Sequence, residues 1–189
     1  MRSTLSLLAL FLLTACASGI GGADYAPQYD FFEFWAATDG KTFRVETAGN
    51  PFPGMSEQQM RRRLLPVMQA NKPRPRLTFT YERPPDTPNE PPHPDYYMVL
   101  VFNPALDMSA AQVCAGQRRL GPPQPPGKVY LFAVYCRSDQ YMSQTTAWTD
   151  ATIPDDPKVG QMFAVLFQVL FTDQPVQHWN RGPFGFRRL

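Results

Sequence analysis

Proline divides this chain into short pieces, and nothing else in the sequence limits its fold as much. Its 21 prolines gather between the regular segments. Six lie within residues 83–94, and four more lie in Gly121-Pro122-Pro123-Gln124-Pro125-Pro126-Gly127. A proline ring fixes φ and removes a donor, so each cluster is a stiff loop that no helix or central strand crosses. Between these loops the chain has room only for single strands and helices of modest length. An aromatic content of 13% excludes a disordered polymer. The body has the length of one domain with its own core.

Tyr96 to Phe102 is almost continuously apolar, as expected for a central strand covered on both faces. Val129 to Cys136 is a second strong strand, and residues 141–149 form a more polar hairpin partner. Lys41 to Thr47 alternates, with Phe43 and Val45 on one face and charges on the other. Phe31-Phe32-Glu33-Phe34-Trp35 is rich in strand formers, and Asp39-Gly40 is a hairpin turn signal between the two. The alternative for residues 29–37 is a short helix or coil packed under the sheet. Leu77, Phe79 and Tyr81 mark a further alternating strand.

Ser56 with Gln59 has capping-box spacing, and Met60, Leu64, Val67 and Met68 follow on one helical face. Pro66 predicts a kink or an early end to that helix. Ser109 caps a short helix carrying Val113 and Cys114. Asp156-Pro157 opens a helix whose apolar face holds Val159, Phe163, Leu166, Phe167 and Leu170, through Phe171. That face reads as core, with a lipid-binding cavity as the alternative. The expected fold is α+β: an antiparallel sheet of four or five strands, covered by the C-terminal helix and a second helix near residues 56–70.

Residues 1–15 place one charge, Arg2, before an apolar stretch from Leu5 to Leu13, then small residues. This is a secretion signal, too short to remain as a spanning helix. Its ending, Leu13-Thr14-Ala15-Cys16, resembles the lipobox of bacterial lipoproteins. The resemblance implies cleavage before Cys16, acyl chains on that residue, and attachment to the membrane through them. Ala17, where Asp would signal inner-membrane retention, implies an outer-membrane location facing the periplasm. Residues 16–24 then read as a lipidated N-terminus and flexible tether, 25–175 as one globular domain, and 176–189 as a basic-aromatic tail. Several strings also resemble uncharacterised envelope lipoproteins of Gram-negative, alphaproteobacterial species. They are Gly40-Lys41-Thr42-Phe43-Arg44-Val45, Gly49-Asn50-Pro51-Phe52, Val101-Phe102-Asn103-Pro104, and Tyr141-Met142-Ser143. No activity comes with that resemblance.

With Cys16 acylated in an oxidising compartment, Cys114 and Cys136 remain as an even pair, read as a disulfide. Two buried free thiols are the alternative. Loss of residues 1–15 leaves the charge nearly balanced, so nothing in it calls for nucleic acid. His93 and His178 lack metal-ligand spacing, and no nucleophile elbow, phosphate loop or dinucleotide fingerprint occurs. The expectation is therefore a non-catalytic protein with no metal or cofactor. It would bind or scaffold an envelope protein, with an apolar ligand such as a lipid as the alternative cargo. Arg61-Arg62-Arg63 reads as a solvated helix face or as a surface for anionic headgroups or a partner. In the tail, Trp179, Phe184 and Phe186 interleave with Arg181, Arg187 and Arg188, as in a docking arm. A frayed terminus is the alternative.

Overall fold

The computed structural model describes residues 18–83 and 95–175. In chain order these form β1 (Ser18–Ile20), β2 (Asp24–Tyr25), α1 (Phe31–Thr38), β3 (Thr42–Ala48), α2 (Glu57–Ala70), β4 (Thr78–Thr80), β5 (Tyr96–Phe102), α3 (Ala110–Cys114), β6 (Lys128–Arg137), β7 (Gln140–Asp150) and α4 (Pro157–Leu170). The fold is α+β, but the sheet is larger than expected and mixed. Seven strands take the order β1-β7-β6-β5-β3-β4, with β2 also on β7. β3 runs parallel to both β4 and β5, and the other pairs are antiparallel.

The correction has a local cause. The Phe31–Trp35 segment is the first part of helix α1, so β3 has no hairpin partner. Asp30 caps that helix, its side chain accepting from the Phe32 N–H at 2.8 Å. Phe34 then points into the core, stacked on Phe171 with ring centroids 4.3 Å apart and edge-on to Phe43 and Tyr135. This burial outweighs the strand preference of the aromatic run. Gly40 has φ of 74° and turns the chain out of α1 into β3, so Asp39-Gly40 ends a helix instead of joining two strands. The neighbours of β3 arrive by crossovers, which is why they are parallel.

β5 sits at the centre, as its composition predicts. Met98, Leu100 and Phe102 enter one buried cluster, and Tyr97, Val99 and Val101 enter another on the opposite face. The first face is covered by α1, α2 and α4. Here the expected apolar face of α4 is core: Phe163, Phe167 and Leu170 are fully buried, and Phe171 nearly so. α2 has the complete capping box between Ser56 and Gln59. It runs through Pro66 to Ala70, so the early end does not occur. Pro66 is on the exposed side, where water can meet the carbonyl that proline leaves without a donor. The last carbonyls of α4 need partners that a helix cannot supply. Hydroxyl groups supply them: Tyr25 donates to the Val169 carbonyl, Ser143 to Leu170 at 2.6 Å, and Tyr29 to Thr172 at 2.8 Å.

The second face is thinner. The five-residue α3, with its own capping box from Ser109 and Gln112, lies over β6 and β7 and shares a buried cluster with β5 and β6. Cys114 of α3 is bonded to Cys136 of β6, with α-carbons 5.7 Å apart.

Residues 18–20 and 24, read as tether, are strand residues, and Tyr25 continues the second strand. They pair with β7, Gly19 opposite Trp148 and Asp24 opposite Gln144. Side chains are not needed for this, because the pairing is backbone to backbone. At Gly19 a side chain would be harmful, since a Cβ there would collide with the Trp148 indole. Among the described residues no helix is long and apolar enough to cross a membrane.

Candidate functional site

β4 covers only the first part of β3. It pairs Thr78, Phe79 and Thr80 with Thr42, Phe43 and Arg44. The chain then turns away, with the Glu82 N–H donating to the Thr80 hydroxyl at 3.1 Å. On that side no described strand pairs with β3 from Val45 to Ala48. A groove of about 390 Å³ lies beside this part of β3, lined by Arg44, the buried Val45, Glu46, Thr47, Arg61, Tyr81, Arg83 and Arg118.

Strand alternation places these side chains on both flanks. Phe43 and Val45 point into the main core, which leaves Arg44 and Glu46 on the α3 side. The Arg44 guanidinium lies over the Tyr97 ring, 4.2 Å from its centroid. Tyr97 is itself fixed, its hydroxyl directed at the carbonyls of Cys114 (3.1 Å) and Ser138 (3.0 Å). The disulfide thus holds the helix end that holds the floor beneath Arg44. Burial raises the Tyr97 hydroxyl above its ordinary pKa, so it stays a neutral donor. Glu46 accepts from both Arg44 and Arg118. Asp95 accepts from Arg44 at 2.6 Å and sits 3.8 Å from Arg83. On the other flank Arg61 of α2 lies over the Tyr81 ring at 4.3 Å, and the Tyr81 hydroxyl donates to the Arg61 carbonyl at 3.0 Å. Burial pushes the Tyr81 hydroxyl up as well.

Two features set this groove apart. Four guanidiniums face two described carboxylates, Glu46 and Asp95, so positive charge is in surplus. Three buried side-chain polar atoms among the described residues lack a hydrogen-bond partner, and all belong to groove residues: Arg44 Nε, Arg118 Nε and the Thr47 hydroxyl. A buried donor without a partner costs about 1–3 kcal/mol, so three in one place need a reason.

The arginine run predicted as a surface is split. Arg61 joins the groove, Arg63 pairs with Asp155, and Arg62 is exposed. Cys114 and Cys136 are brought together as a disulfide. Cys16, His93, His178, Trp179, Arg181, Phe184, Phe186, Arg187 and Arg188 lie outside the described residues. Among the described residues no three metal-ligating side chains gather. Sequence reading places Arg44 and Glu46 on the polar face of a strand. It misses their meeting with Arg61, Arg83, Asp95 and Arg118, for which no local spacing gives a signal.

No family model matches this chain, and no curated protein matches it. Among solved structures it is similar to a dodecamer of a PelC variant from Paraburkholderia phytofirmans, with a TM-score of 0.40 and 6% identity. That likeness covers 84% of this chain and 99% of the other.

Proposed function

We propose that this chain is a non-catalytic cell-envelope lipoprotein, held at the outer membrane through acyl chains on Cys16, that binds or scaffolds another envelope component. The observation that carries the binding half is the groove beside β3, where the guanidiniums of Arg44, Arg61, Arg83 and Arg118 outnumber the described carboxylates of Glu46 and Asp95. The motif at Cys16 carries the membrane half.

A lipid carrier is the second reading. One feature speaks for it: an open groove of about 630 Å³ beside the end of α4, where Phe31, Phe167 and Phe171 meet Lys72 and Arg74. It is half-open and as polar as apolar, unlike an enclosed apolar pocket. Photocrosslinking in cells separates the readings. A crosslinker at Arg83 should capture a defined protein, while one at exposed Val165 of α4 should not. Co-purifying lipid with no protein captured from Arg83 would favour the carrier. Intact mass of the purified chain tests acylation, which Cys16→Ser should abolish.

A further inference from the structure

The start of β1 decides which end of the sheet meets a bilayer that holds Cys16. Ser18 pairs with Thr149 near the finish of β7, and Cys16 can lie at most about 7 Å from Ser18. Strand direction brings the start of β6 and the finish of β5 to the same end, with Lys128 opposite Asp150 and Phe102 opposite Leu131. Five large apolar side chains are exposed there: Leu106, Leu120, Tyr130, Trp148 and Ile153. Tyr130 and Trp148 are neighbours across the β6–β7 pair, on the face that α3 leaves partly uncovered. The indole leans over Gly19, where the bare backbone makes room for it. Leu106 lies just beyond β5, wholly in solvent, and Leu120 is beside it, bridged to Pro104. Ile153 lies just beyond β7. The other exposed aromatics, Phe32 and Trp35, belong to α1 at the far end, where Glu33 meets Tyr96 and Arg137. Along β7 that is about 30 Å away.

Charges at the near end are matched. Lys128 is paired with Asp150, and Arg119 with Asp107 at 2.9 Å. A surface of apolar groups and neutralised pairs suits a lipid interface without calling for anionic headgroups, and Trp and Tyr are the side chains that favour headgroup depth.

We infer that this end of the sheet is a membrane seat. Trp148 and Tyr130 rest among the headgroups of the bilayer that holds Cys16, and Leu106, Leu120 and Ile153 enter its interfacial layer. This deepens the lipoprotein reading above and rests on it.

The test uses the full acylated chain, its mass checked, in vesicles of phosphatidylcholine and phosphatidylethanolamine with a nitroxide on the lipid headgroup. The chain has three tryptophans. Trp35→Phe with Trp179→Phe leaves Trp148 as the fluorophore, and Trp148→Phe with Trp179→Phe leaves Trp35. The nitroxide should quench Trp148 about threefold more than Trp35. Raising the salt to about 1 M, where surface charge is screened, should leave that quenching unchanged. Leu106→Glu, at a wholly exposed site, should lower it about twofold with the melting temperature unmoved. Equal quenching of the two tryptophans overturns the inference, as does loss of quenching in salt or indifference to Leu106→Glu. In each of those cases an acylated mass leaves the lipoprotein reading standing, whereas a mass without acyl chains overturns both. A Cys16→Ser chain that dimerises in solution and shields Trp148 from acrylamide overturns the seat in favour of a second copy of this chain.

Discussion

The two faces of the sheet are built on different terms. On one, three helices bury rings in a continuous layer: Phe34, Phe43, Tyr135 and Phe171 touch one another, and Phe163 and Phe167 extend the layer under α4. On the other, a helix of five residues and a disulfide cover a smaller cluster, and the remaining surface goes to arginines and carboxylates. Where apolar area is ample, packing alone fixes the geometry. Where it is scarce, a covalent bond and a charged network do that work, and two of the three buried polar atoms without partners among the described residues, Arg44 Nε and Arg118 Nε, are found on that network.

Four measurements would break or sharpen this contrast. The largest effect is expected at Phe34, which is fully buried among the rings of Phe31, Phe43, Tyr135 and Phe171. Phe34→Ala should cost about 3–5 kcal/mol in urea unfolding. A cost below that of the disulfide would show the first face to be less continuous than it looks. Next, replacing Cys114 and Cys136 together by Ser removes a link that closes a loop of 22 residues. The chain-entropy argument gives a loss of about 3 kcal/mol. Amide exchange should rise in α3 while α4 stays protected, and equal loosening of both helices would mean the faces are not independent. The same double replacement removes the mass shift on reduction and alkylation that the wild-type chain should show.

The third test uses a motif present on both faces. Ser56 and Ser109 make the same capping box on α2 and α3. Each Ser→Ala change should cost about 1 kcal/mol of its helix. Ser56→Ala should appear in global unfolding, whereas Ser109→Ala should appear mainly as local exchange, because the disulfide keeps α3 in place. The smallest effect is the response to acid. Hydrogen bonds from Arg76 hold the Asp39 carboxyl below its ordinary pKa, and Arg119 does the same for Asp107. A depressed carboxyl stabilises the folded state above the ordinary aspartate value. It loses that contribution as pH falls through the lower folded value. Asp107 is exposed and Asp39 is still reached by solvent, so the change in stability should be slight. Carboxyl NMR should find both midpoints below the ordinary range, and Arg76→Ala should raise that of Asp39 alone, part of the way, because the backbone N–H at position 76 still donates to it.

Features decided by near neighbours are legible in the sequence. The caps at Ser56, Ser109 and Asp156 depend on residues two or three positions away, and the apolar run of β5 states its own double burial. The aromatic run of α1 reads as a strand by composition, yet one cap and one buried ring outweigh that composition. The parallel placing of β3 against β5 depends on crossovers that leave no local mark. The groove is farther from local reading still. Arg44 meets Asp95 across 51 positions, and Arg118 meets Glu46 across 72. The glycines at 19, 21 and 22 suggest slack, yet Gly19 is placed where only a bare backbone fits beside Trp148.

The pairing of β1 with β7 has a consequence for mechanics. Were Cys16 acylated, as proposed, only Ala17 would separate the anchor from a hydrogen-bonded strand, a span of at most about 7 Å. The body would then be moored by its sheet, with almost no rope. β3 lies four strand spacings from β1, about 19 Å across the sheet. The arginine-lined groove beside β3 would therefore be carried at a set distance from its mooring, like a berth measured out along a pier.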